Sequence, residues 1–373
     1  MMRVFVVNAG SSSLKYEVVD AAAGSSIASG IVERVGVVGS DVPDHAAALA
    51  VALAEVDVAS IDAVGHRIVH GGSRFVEATV VDDAVVAELE RLSELAPLHN
   101  PPGLEGIRAA LAALPDVPHV AVFDTAFHAT LPPVAYTYAI DRAVSAEHGI
   151  RRYGFHGTSY AYVSARAAEV LGRPLGSLRM VVAHLGNGAS ITAIERGASV
   201  ETSMGMTPLE GLVMGTRSGD IDPAVLLHLQ RIGAFDAEGL DDLLNRRSGI
   251  LGLGGHSDMR DLLAASDAGD AAAALAVDVY VHRLVRYIGA YAAVLSGIDA
   301  LVFTAGVGEN SSVIRARAVE GLGFLGLEVD EALNTAASSE PRVISPDGAG
   351  SAVLVVPTDE ELQIAREVAG VVG

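Results

Sequence analysis

Val4-Phe-Val-Val-Asn-Ala-Gly-Ser-Ser-Ser-Leu-Lys-Tyr-Glu-Val-Val19 reads as an apolar β-branched run, a Gly/Ser turn and a second apolar run: strand, turn, strand. Val181-Val-Ala-His-Leu-Gly-Asn-Gly-Ala-Ser-Ile-Thr-Ala-Ile194 reads the same way. Aligning Gly10 with Gly186 sets Ser11 opposite Asn187 and Ser12 opposite Gly188. Hairpin likeness is common between unrelated segments. Joined to two α/β halves, it points to a duplicated domain whose turn N–H groups grip a phosphate chain from both sides.

Further strand signals lie at 63–69, 119–124, 179–184, 190–195, 300–304 and 352–356. Helical patterns lie between them at 82–95, 102–114, 158–171, 222–232, 271–295, 311–322 and 358–371, with start signals such as Asp82, Ser311 and Thr358. The alternation predicts an α/β protein. Residues 24–30 and 346–350 read as turns. The expected division is 1–148 plus 359–373 for one domain and 149–358 for the other.

The 373 residues include no cysteine, which excludes disulfides, thiolate catalysis and Cys-type zinc sites. A formal net charge of −21 argues against nucleic acid and anionic membrane as partners. An anionic substrate then needs a local cluster of cations. The first residues read as a strand running into a turn, without the apolar core and cleavage site of a secretion signal. The long helix at 271–295 is interrupted by Asp278, His282, Arg283 and Arg286, unlike a membrane span. The expected location is the cytoplasm.

Lys15 is the only lysine; arginine supplies the positive charge everywhere else. A compact ammonium beside a Gly/Ser turn suits a phosphate, though charge statistics alone also allow a solvated strand lysine. No Gly-Lys pair exists, so there is no Walker A loop. Gly321-Leu-Gly-Phe-Leu-Gly326 matches a dinucleotide fingerprint in letters but follows a helical run, and reads as a helix end and a turn. Leu301-Val-Phe-Thr-Ala-Gly-Val-Gly-Glu-Asn310, then Ser311, reads as strand, glycine turn and helix, where backbone can approach a ligand. A plain strand–helix turn reads the same way.

Five segments set a charge or an imidazole beside glycine, proline or an aromatic at the end of an element. They are Gly65-His-Arg67-Ile-Val-His-Gly-Gly72, Pro97-Leu-His99-Asn-Pro-Pro102, Phe123-Asp124-Thr-Ala-Phe-His128, Tyr153-Gly-Phe-His156-Gly-Thr-Ser159 and Gly215-Thr-Arg217-Ser-Gly-Asp-Ile-Asp-Pro223. Strand-end loops are where α/β folds place ligands. His45, His148, His228 and His282 lie in helical or polar stretches and read as structural or solvated.

At these segments, and at Asn8-Ala-Gly-Ser-Ser-Ser-Leu-Lys15 and His184-Leu-Gly-Asn-Gly188, the chain resembles the acetate kinase family, in family order from Asn8 to Glu361. The resemblance implies two duplicated actin-like (ribonuclease H-like) α/β domains with the active site in the cleft between them. It also implies a homodimer and Mg-ATP, with Mn²⁺ as a substitute ion. The reaction implied is direct in-line transfer of the γ-phosphoryl group to acetate, giving acetyl phosphate and ADP.

By resemblance, Arg67 holds the acetate carboxylate, and Val69, Leu98, Phe155 and Pro208 shape the pocket for its methyl group. His156 and Arg217 contact the migrating phosphoryl. Ser11, Ser13 and Lys15, with His184, Leu185, Gly186, Asn187 and Gly188, face the phosphate chain. Asp258, Met259 and Arg260, with Gly306, Val307, Gly308, Glu309 and Asn310, frame the adenosine. Asn8 and Glu360 place Mg²⁺, and His99 and His128 line or support the pocket. Asp124 is the essential acid of the family. Because acetate is already ionised at neutral pH, its expected role is to orient Arg67 or the metal's waters.

The sequence departs from the family pattern at Asp359, Met259 and Met206, and is short around 36–44. Propionate or butyrate kinases of the same superfamily compete with the acetate reading, because one methylene shifts discrimination by only ~1–3 kcal/mol. A nucleotide-hydrolysing switch of actin or Hsp70 type is the rival from another class, and it has no use for Arg67, His156 and Arg217 together.

Overall fold

A computed structural model of the chain describes residues 2–97 and 99–373. The chain packs into two compact units. The first is Met1–Ala129 with Phe155–Tyr162 and Asp359–Gly373; the second is Thr130–Gly154 with Val163–Thr358.

The first unit is built on β1 (Arg3–Ala9), β2 (Ser13–Asp20), β3 (Ser25–Glu33), β4 (Ala63–Ile68), β5 (Thr79–Val80) and β6 (His119–Phe123), in the order β3-β2-β1-β4-β6-β5. The alternation in β1 sorts its side chains to two faces. Phe5 and Val7 pack with Ala48, Leu49 and Ala52 of the helix His45–Ala54. Val4 and Val6 pack with Leu362, Ile364, Ala365 and Val368 of the helix Glu360–Val372. Each such buried Val, Leu, Ile or Phe contributes about 1.5–3 kcal/mol, so the last helix is part of the core of the first unit.

The second unit carries β7 (Arg179–Leu185), β8 (Ala189–Glu195), β9 (Ala198–Thr202), β10 (Ala300–Thr304), β11 (Arg342–Val343) and β12 (Ala352–Val355), in the order β11-β12-β10-β7-β8-β9. Read from β9, this is the order of the first sheet. Each has a three-stranded antiparallel meander, two parallel strands reached by crossovers, and a short antiparallel strand at the far edge. Topology therefore carries the duplication much further than the two hairpins do. The incoming strands align as the Gly10–Gly186 match requires, but the first turn is one residue longer, since Ala9 pairs Leu14 while Leu185 pairs Ala189.

One sequence reading needs correction. Residues 24–30, expected as a turn, belong mostly to β3, which pairs antiparallel with β2. Ser, Ala and Gly there carry little strand propensity; an edge position with mostly exposed side chains tolerates them. Among the described residues no helix is long and apolar enough to cross a membrane.

Candidate active site

In the first unit β4 and β6 run parallel, with Arg67 beside Val122 and Ile68 beside Phe123. That register brings Arg67 next to Asp124, one residue past the end of β6. The Arg67 Nε and Nη2 groups donate to the two Asp124 oxygens at 2.9 and 2.8 Å. Asp124 is 2% exposed. Nη1 of Arg67 lies 3.6 Å from a Glu360 oxygen at the start of the last helix. Burial works against the Arg67 charge, yet Asp124 and then Glu360 outweigh it and push the guanidinium above its ordinary value. The side chain keeps 19% exposure. It is thus oriented along one edge and still reachable.

His156 has φ +58 and immediately precedes the helix Gly157–Val170. Gly157 donates its N–H to the Asp124 carbonyl at 2.9 Å, and a Cβ there would stand 2.3 Å from that oxygen. Only glycine allows this approach, so it fixes His156 one residue from Asp124's backbone contact. Phe155 is buried, with its ring 5.5 Å from that of His70, and its carbonyl is 2.9 Å from His128 Nε2. Val69 is half-buried just past β4. His99 stands at the start of the helix Asn100–Ala113. Leu98 lies outside the described residues.

Asn8 and Lys15 face each other across β1 and β2, with Ser11 in the turn joining them and Ser13 at the first position of β2. Lys15 Nζ is 2.5 Å from Glu361 Oε1. Glu17 sits in the same acidic setting; burial first, with Glu361 and Asp359 adding, pushes its carboxyl up. The turn is also braced from outside. His45 Nε2 is 2.8 Å from the Gly10 carbonyl and its Nδ1 is 2.8 Å from Glu105. His45 is therefore structural, as its helical setting suggests, but what it supports is the Gly/Ser turn. Nothing in the sequence linked it to Gly10.

In the second unit His184 and Leu185 end β7, and Gly186, Asn187 and Gly188 form the turn to β8. The Asn187 carbonyl accepts from Gly215 N–H at 2.9 Å, and a Cβ on Gly215 would meet Asn187 Oδ1 at 1.8 Å. This close contact draws the loop carrying Arg217 against the turn. Arg217 donates from Nη1 to the Pro208 carbonyl at 2.8 Å and lies 3.9 Å from Met214 Sδ. No carboxylate lies within salt-bridge range of it among the described residues, and burial pulls its guanidinium below the ordinary value.

A cavity of about 780 Å³ opens beside this turn, lined among others by Asn187, Asp258, Met259, Gly306, Val307 and Asn310. Its size suits a nucleoside. Asp258 caps the helix Met259–Asp267 and pairs with Arg260 at 2.5 Å, and that hydrogen-bonded pairing lowers its carboxyl to about 2. Gly308 and Glu309 belong to the short helix Ala305–Asn310. Glu309 turns its Oε1 to the N–H groups of Ala305 and Thr358, at 2.8 and 3.2 Å, so its carboxylate braces the backbone. Tyr280, unsuspected from its place inside a long helix, also lines the cavity, and its buried hydroxyl has no partner among the described residues.

A repeated meander-and-crossover sheet, with a glycine turn after the first strand of each copy, defines a two-unit α/β protein of the actin and sugar-kinase fold class. The chain belongs to the acetokinase family, whose model matches residues 3–366. It is 58% identical over 389 residues to an acetate kinase of Leifsonia xyli, covering 98% of each chain. A crystal structure of acetate kinase from Porphyromonas gingivalis superposes with a TM-score of 0.95 at 42% identity over the whole of both chains. A propionate kinase from Francisella tularensis superposes at 0.93 with 37% identity, covering 98% of this chain and 99% of that one.

Proposed function

We propose that the protein reversibly transfers the γ-phosphoryl group of ATP to acetate, giving acetyl phosphate and ADP. The observation that carries this reading is the Arg67 guanidinium, held by Asp124 along its Nε–Nη2 edge while the side chain stays partly open. A hydrolytic switch has no use for a fixed carboxylate receptor at this point. Arg67 binds the acetate carboxylate, with Val69, Leu98, Phe155 and Pro208 around the methyl group. Arg217 and His156 contact the migrating phosphoryl and spread its equatorial charge. Transfer is in line and direct, so positioning and electrostatics supply most of the rate.

Asp124 acts as a positioning residue, because acetate has no proton to lose at neutral pH and both Asp124 carboxylate oxygens accept from Arg67. Ser11, Ser13 and Lys15, with the turn His184 to Gly188, hold the phosphate chain. Asp258 to Arg260 and Gly306 to Asn310 surround the adenosine.

Asn8 and Glu360 offer hard oxygen donors, and no cage of three or more acidic or imidazole ligands exists among the described residues. That sparse oxygen set fits Mg²⁺, which keeps waters and takes one or two carboxylates along with phosphate oxygens. When bound with ATP it supplies neutralisation of the β- and γ-phosphate charge. The enzyme works as a homodimer in the cytoplasm.

The test is kcat/KM for ATP-dependent acyl phosphate formation, trapped with hydroxylamine, on acetate, propionate and butyrate. Acetate ahead by about tenfold, the size one methylene allows, is the expected result. Propionate equal or better would move the preference to the activity named for the Francisella relative and keep the chemistry. No acyl phosphate from any of them would sink the reading.

A further inference from the structure

Behind the short helix Ala305–Asn310, the nucleotide turn, the second unit holds another cavity, of about 490 Å³, which shares Asn310 and Ser312 with the nucleoside-sized one. Its charge is unusual for a chain of net charge −21. Arg315 and Arg342 both line it, and neither has a carboxylate within salt-bridge range among the described residues. Arg315 is 2% exposed. It donates only to neutral acceptors: Asn334 Oδ1 at 2.7 Å, the Asn334 carbonyl at 2.6 Å, and the Gly308 and Glu309 carbonyls at 2.9 and 2.8 Å. Burial, with the neighbouring Arg342 adding to it, pulls this guanidinium down to about 10.

Arg342 donates from Nη1 to the Ser338 carbonyl at 3.2 Å, while its Nε is buried with no partner among the described residues. Glu309 is the one acidic residue of the lining, and its Oε1 is taken by the two backbone N–H groups described above. A purely structural role explains Arg315, which ties the end of the nucleotide turn to Asn334. It does not explain a second guanidinium set against the first with a buried donor left over. Two guanidiniums with no carboxylate in salt-bridge range, set together in a concave site, are what an oxyanion requires.

We propose that this cavity binds a small, multiply charged oxyanion of phosphate type, at a site separate from the acetate and γ-phosphoryl contacts. Arg342 and the Ser339 hydroxyl make the direct contacts, and Arg315 supplies the buried charge. Because Arg315 also holds the Gly308 and Glu309 carbonyls, occupancy stiffens the nucleotide turn. Its kinetic signature is a change in KM for nucleotide with KM for acetate unmoved. The site takes free phosphate or a phosphomonoester, since both present the same dianionic group.

The experiment is calorimetric titration of inorganic phosphate, and separately of glycerol phosphate, into the full chain saturated with ADP. The same titrations are run on Arg342→Gln, Ser339→Asp and Arg217→Ala. Arg342→Gln is expected to weaken binding about tenfold or more, the loss of a charge-assisted contact, with kcat and KM for acetate unchanged. Ser339→Asp places a carboxylate in the cavity and should suppress binding without emptying a folded core, so it keeps the test decisive if Arg342→Gln unfolds. Arg217→Ala should bind as the parent does. Stronger binding of the ester than of free phosphate would name the source as a phosphorylated metabolite, and the reverse would name phosphate itself.

Binding that disappears in Arg217→Ala and survives in the other two variants would overturn the proposal, as would no binding at millimolar concentrations. A chain inactive as a kinase would still bind phosphate here, so failure of the acyl phosphate reading and failure of this one are distinguishable.

Discussion

Arg67 in the first unit has its Nε–Nη2 edge filled by Asp124 at 2.8–2.9 Å, and its charge is reinforced. Arg217 in the second unit has only the Pro208 carbonyl and a thioether, and its charge is disfavoured by burial. Arg315, in the same unit, resembles Arg217. A guanidinium already matched to a carboxylate has spent much of its electrostatic strength and serves as a shaped receptor. One left without a carboxylate costs stability, and its field stays available for an anion that arrives later. In the proposed reaction the first kind suits a substrate that is an anion throughout, and the second suits charge that spreads in the transition state.

The largest effect that would break this contrast is the loss of Arg217. Arg217→Ala should lower kcat by roughly 10³-fold or more, the scale of a transition-state arginine, with KM for acetate little changed. A variant that raised KM for acetate and spared kcat would place Arg217 with the carboxylate instead.

Asp124→Asn comes next. It leaves Arg67 in place but removes the charge that orients it, and should cost about 10–100-fold in kcat/KM for acetate, as loss of an orienting partner does. Its pH–rate profile should keep the acid limb of the parent. A shifted limb would mean that Asp124 exchanges a proton in the reaction.

The first unit should also be the more acid-sensitive. His66 on β4 and His119 on β6 stack with Nε2 and Nδ1 3.0 Å apart, and His119 Nε2 lies 2.9 Å from the Leu114 carbonyl. Burial, with His119 adding to it, holds His66 down to about 3, and burial lowers His119 as well. A folded-state value below the unfolded one means that the unfolded chain binds more protons in that window. The stability contributed is therefore complete above about pH 6.5 and lost as pH falls towards 3, at up to about 1.4 kcal/mol per pH unit per proton. Urea titrations from pH 7 to 4 should show this slope, and His66→Asn should flatten it. An unchanged slope in that variant would remove the pair as its source.

The smallest expected effect is at Tyr280, whose buried hydroxyl has no partner among the described residues. Tyr280→Phe should leave the melting temperature unchanged or slightly raised. A loss above about 1 kcal/mol would instead reveal a hydrogen bond worth keeping.

The Arg–Asp contrast was only half legible beforehand. Arg67, Asp124, His156 and Arg217 stand out in the chain because each is flanked by glycine or an aromatic at the end of a strand or loop, and the family resemblance gave them roles. Residues 24–30 read as a turn while 25–30 lie in β3, because an edge strand of Ser, Ala and Gly is held by its partner β2 and carries little preference of its own. His45 was placed correctly as structural, but its bond to Gly10, 35 residues away, depends on where a helix start lands against a turn.

The amino-acid sequence by itself determined the α/β alternation, the two glycine turns, the absence of thiol chemistry and the family, because these rest on local pattern and composition. The tertiary structure decided which charges meet. The parallel register of β4 and β6 brings Arg67 to Asp124 across 57 residues, and no carboxylate among the described residues comes within salt-bridge range of Arg217 or Arg315. Whether a guanidinium is paired or exposed to an incoming anion depends on distances of a few ångströms between distant segments. Those distances follow from strand register and packing, which no local stretch of sequence encodes.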